Sequence, residues 1–388
     1  MSSIYLDYAA TTPLDPDVLR AMMPYLGPEF GNPSSIYQQA QAAKAAIEDA
    51  RQKVAAVFAL DPAEIVFTSG ATESDNLALS GVAWAAKKAG IERPHIVSTA
   101  IEHSAIIESL AWLESVGFAV TLVGCDRDGM IDPADVRREI MKDTALISVM
   151  YANNEVGSIQ PIPEIAAIAH ESGIPLHVDA TQAAGLLDLS SGTLHADLVS
   201  ISAHKFYGPK GVGVLAARRD VRIDWQQHGG GQEGGRRGGT ENVAGIVGLA
   251  TALVRADGYR DAYAAHCRSV RDLLWERISG EIDDIWLNGP SLDGPRLPNN
   301  LNIGIPGVQG ETMLVNLDLA GIAASAGSAC SVGRNEPSHV LLAMGRTVEE
   351  ARSSLRLTVG RPTSQADVIE AADAVVEVAD RVRDLARR

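Results

Sequence analysis

Ser200-Ile-Ser-Ala-His-Lys-Phe-Tyr-Gly-Pro-Lys-Gly-Val-Gly213 is the stretch that decides how the rest of the chain is read. The apolar run from Asp197 to Ser202 predicts a buried strand, and the Gly208-Pro209 turn stops it just after His204 and Lys205. Ligands of α/β proteins collect at the carboxyl edge of the sheet. A desolvated amine placed there has a lowered pKa and can bond covalently to an aldehyde. Taken alone, Lys205 reads more readily as a solvated lysine, since lysines mostly sit in water. The surrounding sequence carries the decision.

Working outward, six further segments read as strands: Glu64 to Ser69, His95 to Thr99, Ala119 to Gly124, Ala145 to Tyr151, Pro175 to Asp179 and Gly211 to Ala217. Most are separated by helical stretches such as Asp75 to Ala89 and Ile162 to Glu171. Continuous apolar strands alternating with helices predict a mainly parallel, seven-stranded sheet covered on both faces. Ile4 to Thr12 reads as a short strand, and Ser34 or Ser35 can cap a helix whose apolar positions run from Ala40 to Val57. Beyond the glycine-rich run Gly229 to Gly239, one long helical stretch is expected from Asn242 to about Ile278. Strands Leu301 to Ile305, Ile322 to Ser325 and Ser354 to Val359 then alternate with helices Glu311 to Leu319 and Ser338 to Met344. Pro362 and Thr363 open a last helix with one apolar face built from Val368, Ala372, Val375, Val376, Ala379 and Val382. The expected organisation is a large domain over 13–257 and a smaller α+β domain formed by 1–12 and 258–388.

Charge and cysteine usage narrow the classes. The 388 residues hold 33 Lys+Arg against 49 Asp+Glu, a net charge of −16, which repels a phosphate backbone and argues against a nucleic-acid face. Met1-Ser-Ser-Ile-Tyr-Leu-Asp7 lacks a basic region followed by an apolar core, and no apolar run approaches bilayer length, so a cytoplasmic, membrane-independent protein is expected. Three scattered cysteines argue against both a disulfide framework and a metal cluster.

Several stretches carry chemistry. Ser69-Gly-Ala-Thr-Glu-Ser-Asp-Asn76 follows a strand and opens a helix, which suits a phosphate, although a capped turn explains it as well. Pro175-Leu-His-Val-Asp-Ala-Thr-Gln182 ends a strand on Asp179, where a carboxylate can pair with the ring nitrogen of pyridoxal phosphate or simply cap a helix. One crossover separates Asp179 from Lys205, so both reach the same sheet edge. His103, just past another strand, can lie on a cofactor ring and move protons, or be structural. The run from Gly229 to Asn242 is a flexible linker or a mobile loop that reaches an anion with its arginines and Thr240. Cys330, inside Ala324-Ser-Ala-Gly-Ser-Ala-Cys-Ser-Val-Gly333, is surrounded by residues too small to make a core and is expected on a mobile loop. Cys125 and Cys267 read as inert.

Taken together with Asn153-Asn-Glu-Val-Gly157, these motifs resemble the cysteine desulfurases of the nitrogen-fixation and iron-sulfur-cluster type. These are pyridoxal-phosphate enzymes of the class-V aminotransferase family with the aspartate-aminotransferase fold. The resemblance runs from Tyr5 to Arg361. It implies that Lys205 holds the cofactor and acts as a base, that His103 stacks on the ring, that Asp179 pairs with the ring nitrogen and that Gln182 bonds the ring oxygen. It implies that Ala71, Thr72, Ser202 and His204 surround the phosphate, with Thr240 supplied by the second subunit of a homodimer. Arg356, helped by Asn154, would clamp the carboxylate of L-cysteine. The Cys330 thiolate would take the substrate's sulfur as a persulfide, releasing L-alanine, and pass it to an acceptor protein. Desulfurases dedicated to iron-sulfur scaffolds commonly carry a longer tail than one ending at Ala386-Arg-Arg388. The acceptor is therefore left open among an iron-sulfur scaffold, a tRNA-thiolation relay and a DNA-phosphorothioation system. A selenocysteine lyase or another aminotransferase-family enzyme would share Lys205 and Asp179 without depending on Cys330, and a binding scaffold with a vestigial pocket is the non-enzymatic alternative.

Overall fold

A computed structural model describes residues 4–326 and 336–386, so Cys330 lies outside the described residues. In chain order the elements begin with β1 (Ile4–Tyr5), α1 (Pro16–Leu26), α2 (Gln38–Phe58), β2 (Ile65–Thr68), α3 (Ala71–Lys88), β3 (His95–Thr99), α4 (Ser104–Ser115) and β4 (Ala119–Val123). They continue with α5 (Pro133–Arg138), β5 (Thr144–Met150), α6 (Ile162–Glu171), β6 (Leu176–Asp179), α7 (Ser191–Leu194), β7 (Leu198–Ser202) and β8 (Gly213–Ala217). Then come α8 (Val243–Gly258), α9 (Arg260–Glu281), β9 (Trp286–Leu287), β10 (Asn300–Gly304), α10 (Gly310–Leu319) and β11 (Ile322–Ala323). The chain closes with α11 (His339–Ala343), α12 (Val348–Arg352), β12 (Ser354–Thr358) and α13 (Gln365–Ala386).

All seven strands expected for the large sheet pair in it, in the order β2-β8-β7-β6-β5-β3-β4. β8 runs antiparallel to both its neighbours, and the remaining pairs are parallel. Strands β2, β3, β6, β7 and β8 are buried at every position. Burial on both faces is why they read as unbroken apolar runs. Smaller sheets hold β12-β10-β9, antiparallel, and β1 beside β11, parallel. One apolar cluster packs around the large sheet, including Val149, Val178, Ile201 and Leu249, and a second gathers Ile4, Leu6, Leu274, Leu301, Leu357 and Val375. Val340, Leu341, Met344 and Ala351 join the first cluster, although they follow the second block in sequence.

Two segments differ from the sequence reading. The helix expected from Asn242 to about Ile278 breaks at Tyr259, whose φ of −108 and ψ of 6 interrupt the spiral just after Gly258. Leu249 and Leu253 of α8 face the first cluster while Leu274 and Ile278 of α9 face the second, so an unbroken rod could not bury both halves. The strand expected over Ile4 to Thr12 is only Ile4–Tyr5. Beyond it the carbonyls of Ala9 and Ala10 leave the ladder to accept hydrogen bonds from Lys205.

Candidate active site

A cavity of about 500 Å³ lies at the carboxyl ends of β6 and β7. β7 ends at Ser202, and a single 3-10 turn over Ala203–Lys205 then carries His204 and Lys205 into the cavity wall. Lys205 Nζ donates to the carbonyls of Ala9 at 2.6 Å and Ala10 at 2.9 Å. Gln182 Nε2 shares the Ala9 carbonyl at 3.0 Å. β6 delivers Asp179, 6% exposed, whose Oδ1 accepts the Thr181 N–H at 2.9 Å.

α3 begins at the cavity, with Gly70, Ala71 and Thr72 in the lining. A helix start presents N–H groups and positive partial charge. β8 approaches this start so closely that a Cβ at Gly213 would fall 2.7 Å from Gly70 Cα, which requires glycine there. His103 caps α4 by accepting the Ala105 N–H on Nδ1 at 3.1 Å, so its neutral ring carries the proton on Nε2. Burial pulls the His103 pKa down, and Lys205 and His339 add to this while Asp179 opposes it. Burial, with Lys205 and Lys210 nearby, pushes His204 down to about 4, so this imidazole is neutral at pH 7.

The structure thus gathers Ala71, Thr72, His103, Asn154 and Asp179 in one wall set with Gln182, Ser202, His204 and Lys205. Two anticipated residues are not in that lining. Thr240 is exposed, beyond the glycine-rich run. That run is pinned: Arg236 donates to the carbonyls of Ala63 and Ile65, and Arg237 forks onto Glu73 at 2.8 and 3.2 Å. Burial pushes the Glu73 carboxyl up, but hydrogen bonds from Arg237 and Ser69 hold it below its ordinary range. Arg356, 2% exposed, joins the cavity indirectly, donating to the Asn154 carbonyl at 2.9 Å and to Asp7 Oδ1 at 2.8 Å. Cys330 lies outside the described residues, and the residues flanking that stretch are placed as follows. Ser325 exchanges backbone hydrogen bonds with Arg356, and Ser338 donates its hydroxyl to Glu155, so both flanks tie to the Asn153–Val156 turn. Burial raises the thiols of Cys125 to about 11 and Cys267 to about 12, which leaves both protonated at neutral pH.

Asp75 and Thr181 line the cavity and were missed by the sequence reading. Among the described residues, Thr181 Oγ1 and both carboxyl oxygens of Asp75 are buried without a hydrogen-bond partner. Orphaned polar atoms on a cavity wall call for a polar occupant. A lysine, a carboxylate, an imidazole and a helix start with hydroxyls fit a phosphorylated pyridine aldehyde.

Fold and wall together define an α/β enzyme whose polar cavity lies at the carboxyl edge of its sheet. The chain belongs to the class-V aminotransferase family, described as Aminotransferase class-V, which it matches over residues 4–370. The family is pyridoxal-phosphate-dependent. The chain is 44% identical over 382 residues to the cysteine desulfurase IscS of Dictyoglomus turgidum, covering 98% of this chain and 96% of that protein. Among solved structures, a NifS-like protein superposes with a TM-score of 0.91 at 35% identity, covering 98% of this chain and 100% of the other. A structure described as SspA in complex with cysteine gives 0.81 at 35% identity, covering 92% and 99%. Among the described residues no helix is long and apolar enough to cross a membrane.

Proposed function

We propose that this chain is a cysteine desulfurase that converts L-cysteine to L-alanine and passes the sulfur to an acceptor by way of Cys330. The observation that carries the reading is the single cavity in which Lys205, Asp179, His103 and Gln182 converge. Relatives named cysteine desulfurase and a similar fold described with cysteine bound agree with it.

Bound pyridoxal phosphate supplies an electron sink that loosens the bonds at Cα and Cβ of an attached amino acid. Lys205 would hold it, and its amine would serve as the base for the Cα proton. Asp179 would pair with its ring nitrogen, and Gln182 would bond its ring oxygen. Ala71, Thr72, Ser202 and neutral His204 receive its phosphate at the start of α3. His103, neutral with its proton on Nε2, carries protons between substrate and solvent. The Arg356 fork, steadied by Asp7 and Asn154, takes the substrate carboxylate. The Cys330 thiolate then attacks the substrate's sulfur: an S–S bond forms, the C–S bond breaks, and its electron pair stays on carbon, which is protonated to alanine.

The domains divide at 13–257 against 1–12 with 258–388. The working form is a cytoplasmic homodimer in which Thr240 completes the phosphate site of the second copy. Its exposure outside this chain's own cavity supports that reading, as do exposed apolar residues on α1 and just after it, including Met23, Leu26, Phe30 and Ile36. The acceptor is a scaffold or relay protein of iron-sulfur assembly, tRNA thiolation or DNA phosphorothioation.

The test is incubation of the purified enzyme with L-cysteine, with alanine quantified and the Cys330 peptide weighed for an added sulfur. Cys330→Ala keeps the visible cofactor band and loses alanine and sulfide formation. Unchanged turnover in that variant would mean an enzyme, such as a selenocysteine lyase, that needs no protein thiol.

A further inference from the structure

One carboxyl in the cavity wall has no part in the reaction as described. Asp75, in the second turn of α3, is 1% exposed and shares the lining with Asp179, His103 and Lys205. α3 crosses the sheet over β5 to β8 and lays this side chain against buried polar groups. Its Oδ1 stands 3.6 Å from His177 Nε2. That nitrogen is already engaged by Ser200 Oγ at 3.0 Å, and Nδ1 of the same ring by Ser148 Oγ at 2.9 Å. Burial pulls His177 down to about 4, with Asp179 opposing, so this ring is neutral and offers Asp75 no positive charge.

Among the described residues, neither oxygen of Asp75 closes a hydrogen bond. A buried carboxylate with no donor closer than the loosely placed Ser200 hydroxyl is less stable than the acid. The surroundings push the same way: burial first, then the charge of Asp179, with the Ser200 hydroxyl opposing in part and Glu102 adding to the rise. Glu73 on the same wall is held ionised by Arg237, whereas Asp75 has no such cation and meets the charge of Asp179. The acid form has an O–H, and a buried O–H needs an acceptor.

We propose that Asp75 is a positioning residue which, as the neutral acid, gives its O–H to the Asp179 carboxylate in the loaded enzyme, so that the pair shares one proton and Asp179 is held toward the cofactor ring. The inference rests on the cofactor reading above. It leaves Asp179 as the negative charge beside the His177–Ser200 row. Glu102, protonated through burial, adds none at neutral pH.

The experiment compares apo-protein of the wild type, Asp75→Asn and Asp75→Leu, each titrated with pyridoxal phosphate and followed by the visible band, its pH midpoint and circular dichroism. Asparagine keeps a neutral donor and should bind within about threefold of wild type with the band midpoint unmoved. Leucine keeps the bulk without the donor and should bind about tenfold more weakly, with the midpoint moved by about one pH unit and an unchanged dichroism spectrum. Wild-type affinity should also weaken at alkaline pH as the acid ionises, whereas that of Asp75→Asn should not. Leucine behaving as wild type, or folded asparagine protein as weak as leucine, overturns the proposal. Wild-type protein that takes up no cofactor sinks the functional reading and this proposal with it.

Discussion

Replacing Glu233 by Gln tests what holds the glycine-rich segment beside the cavity. Glu233 is buried in that run and receives the Arg51 guanidinium bidentately at 2.7 and 2.8 Å. The Phe67 N–H adds a third bond to it at 3.0 Å, and Arg51 also reaches the Ile65 carbonyl at 2.9 Å and lies 4.8 Å over the Phe67 ring. Burial alone would pull the Arg51 pKa down, yet the bonds and charge of Glu233 hold it above its ordinary value. The two side chains are 10% and 2% exposed, so solvent screening is slight. Glutamine keeps the volume and one acceptor but leaves the buried guanidinium with only the exposed Glu48 carboxylate, 3.8 Å from Nε, close to it, which costs about 3 kcal/mol or more. The thermal midpoint should fall by about 4–6 °C. Because the same run carries Arg237 onto the cavity-lining Glu73, cofactor affinity should fall too. Calorimetry and cofactor titration read both effects. A double variant, Arg51→Met with Glu233→Leu, removes both charges and should recover most of the loss. A loss under about 1 kcal/mol in the single variant, or a double variant as poor as the sum of the singles, would refute the argument.

Lys205→Ala should abolish covalent retention of the cofactor, read as added mass after borohydride reduction; retention in that variant would remove Lys205 from its assigned role. Arg356→Lys puts one ammonium where a fork now serves Asp7 and the Asn154 carbonyl, and should raise KM for cysteine about tenfold with kcat little changed; an unaltered KM would count against the carboxylate clamp. Glu102→Gln probes pH dependence. Burial raises the Glu102 carboxyl to about 8, and Oε1 accepts from Thr99 Oγ1 at 2.7 Å and the Met150 N–H at 2.9 Å. Since the folded value lies above the unfolded one, its contribution is fully present below about pH 4.5 and is lost as pH rises toward 8. Urea midpoints of wild type and Glu102→Gln should therefore diverge over that window with the glutamine variant the more stable at pH 8, and parallel curves would contradict this.

What could be read from the residues follows from where information sits along the chain. The strands of the large sheet are covered on both faces, and their apolar runs announce them without any partner in view. Lys205 and Asp179 were legible for the same reason, since each stands where such a run stops. Asp75 was not: it lies inside a helix among small residues, and its environment is created only when α3 settles on β6 and β7. The early end of β1 was invisible too, because the donor that draws the Ala9 and Ala10 carbonyls out of the ladder belongs to a lysine almost two hundred residues away. The break at Tyr259 was signalled only by Gly258, a weak mark within an otherwise helical pattern.

The opening residues are shared between both halves of the molecule. Leu6 and Ala9 bond to Thr358, Arg356 pairs with Asp7 across 349 positions, and Ala9 and Ala10 receive Lys205. Residues 6–10 must therefore wait for a segment 349 positions later before they can dock, which makes this closure a late event during synthesis. It is also a natural place for partial opening in the finished protein, where a bulky amino-terminal fusion would loosen the lysine's support without touching the sheet.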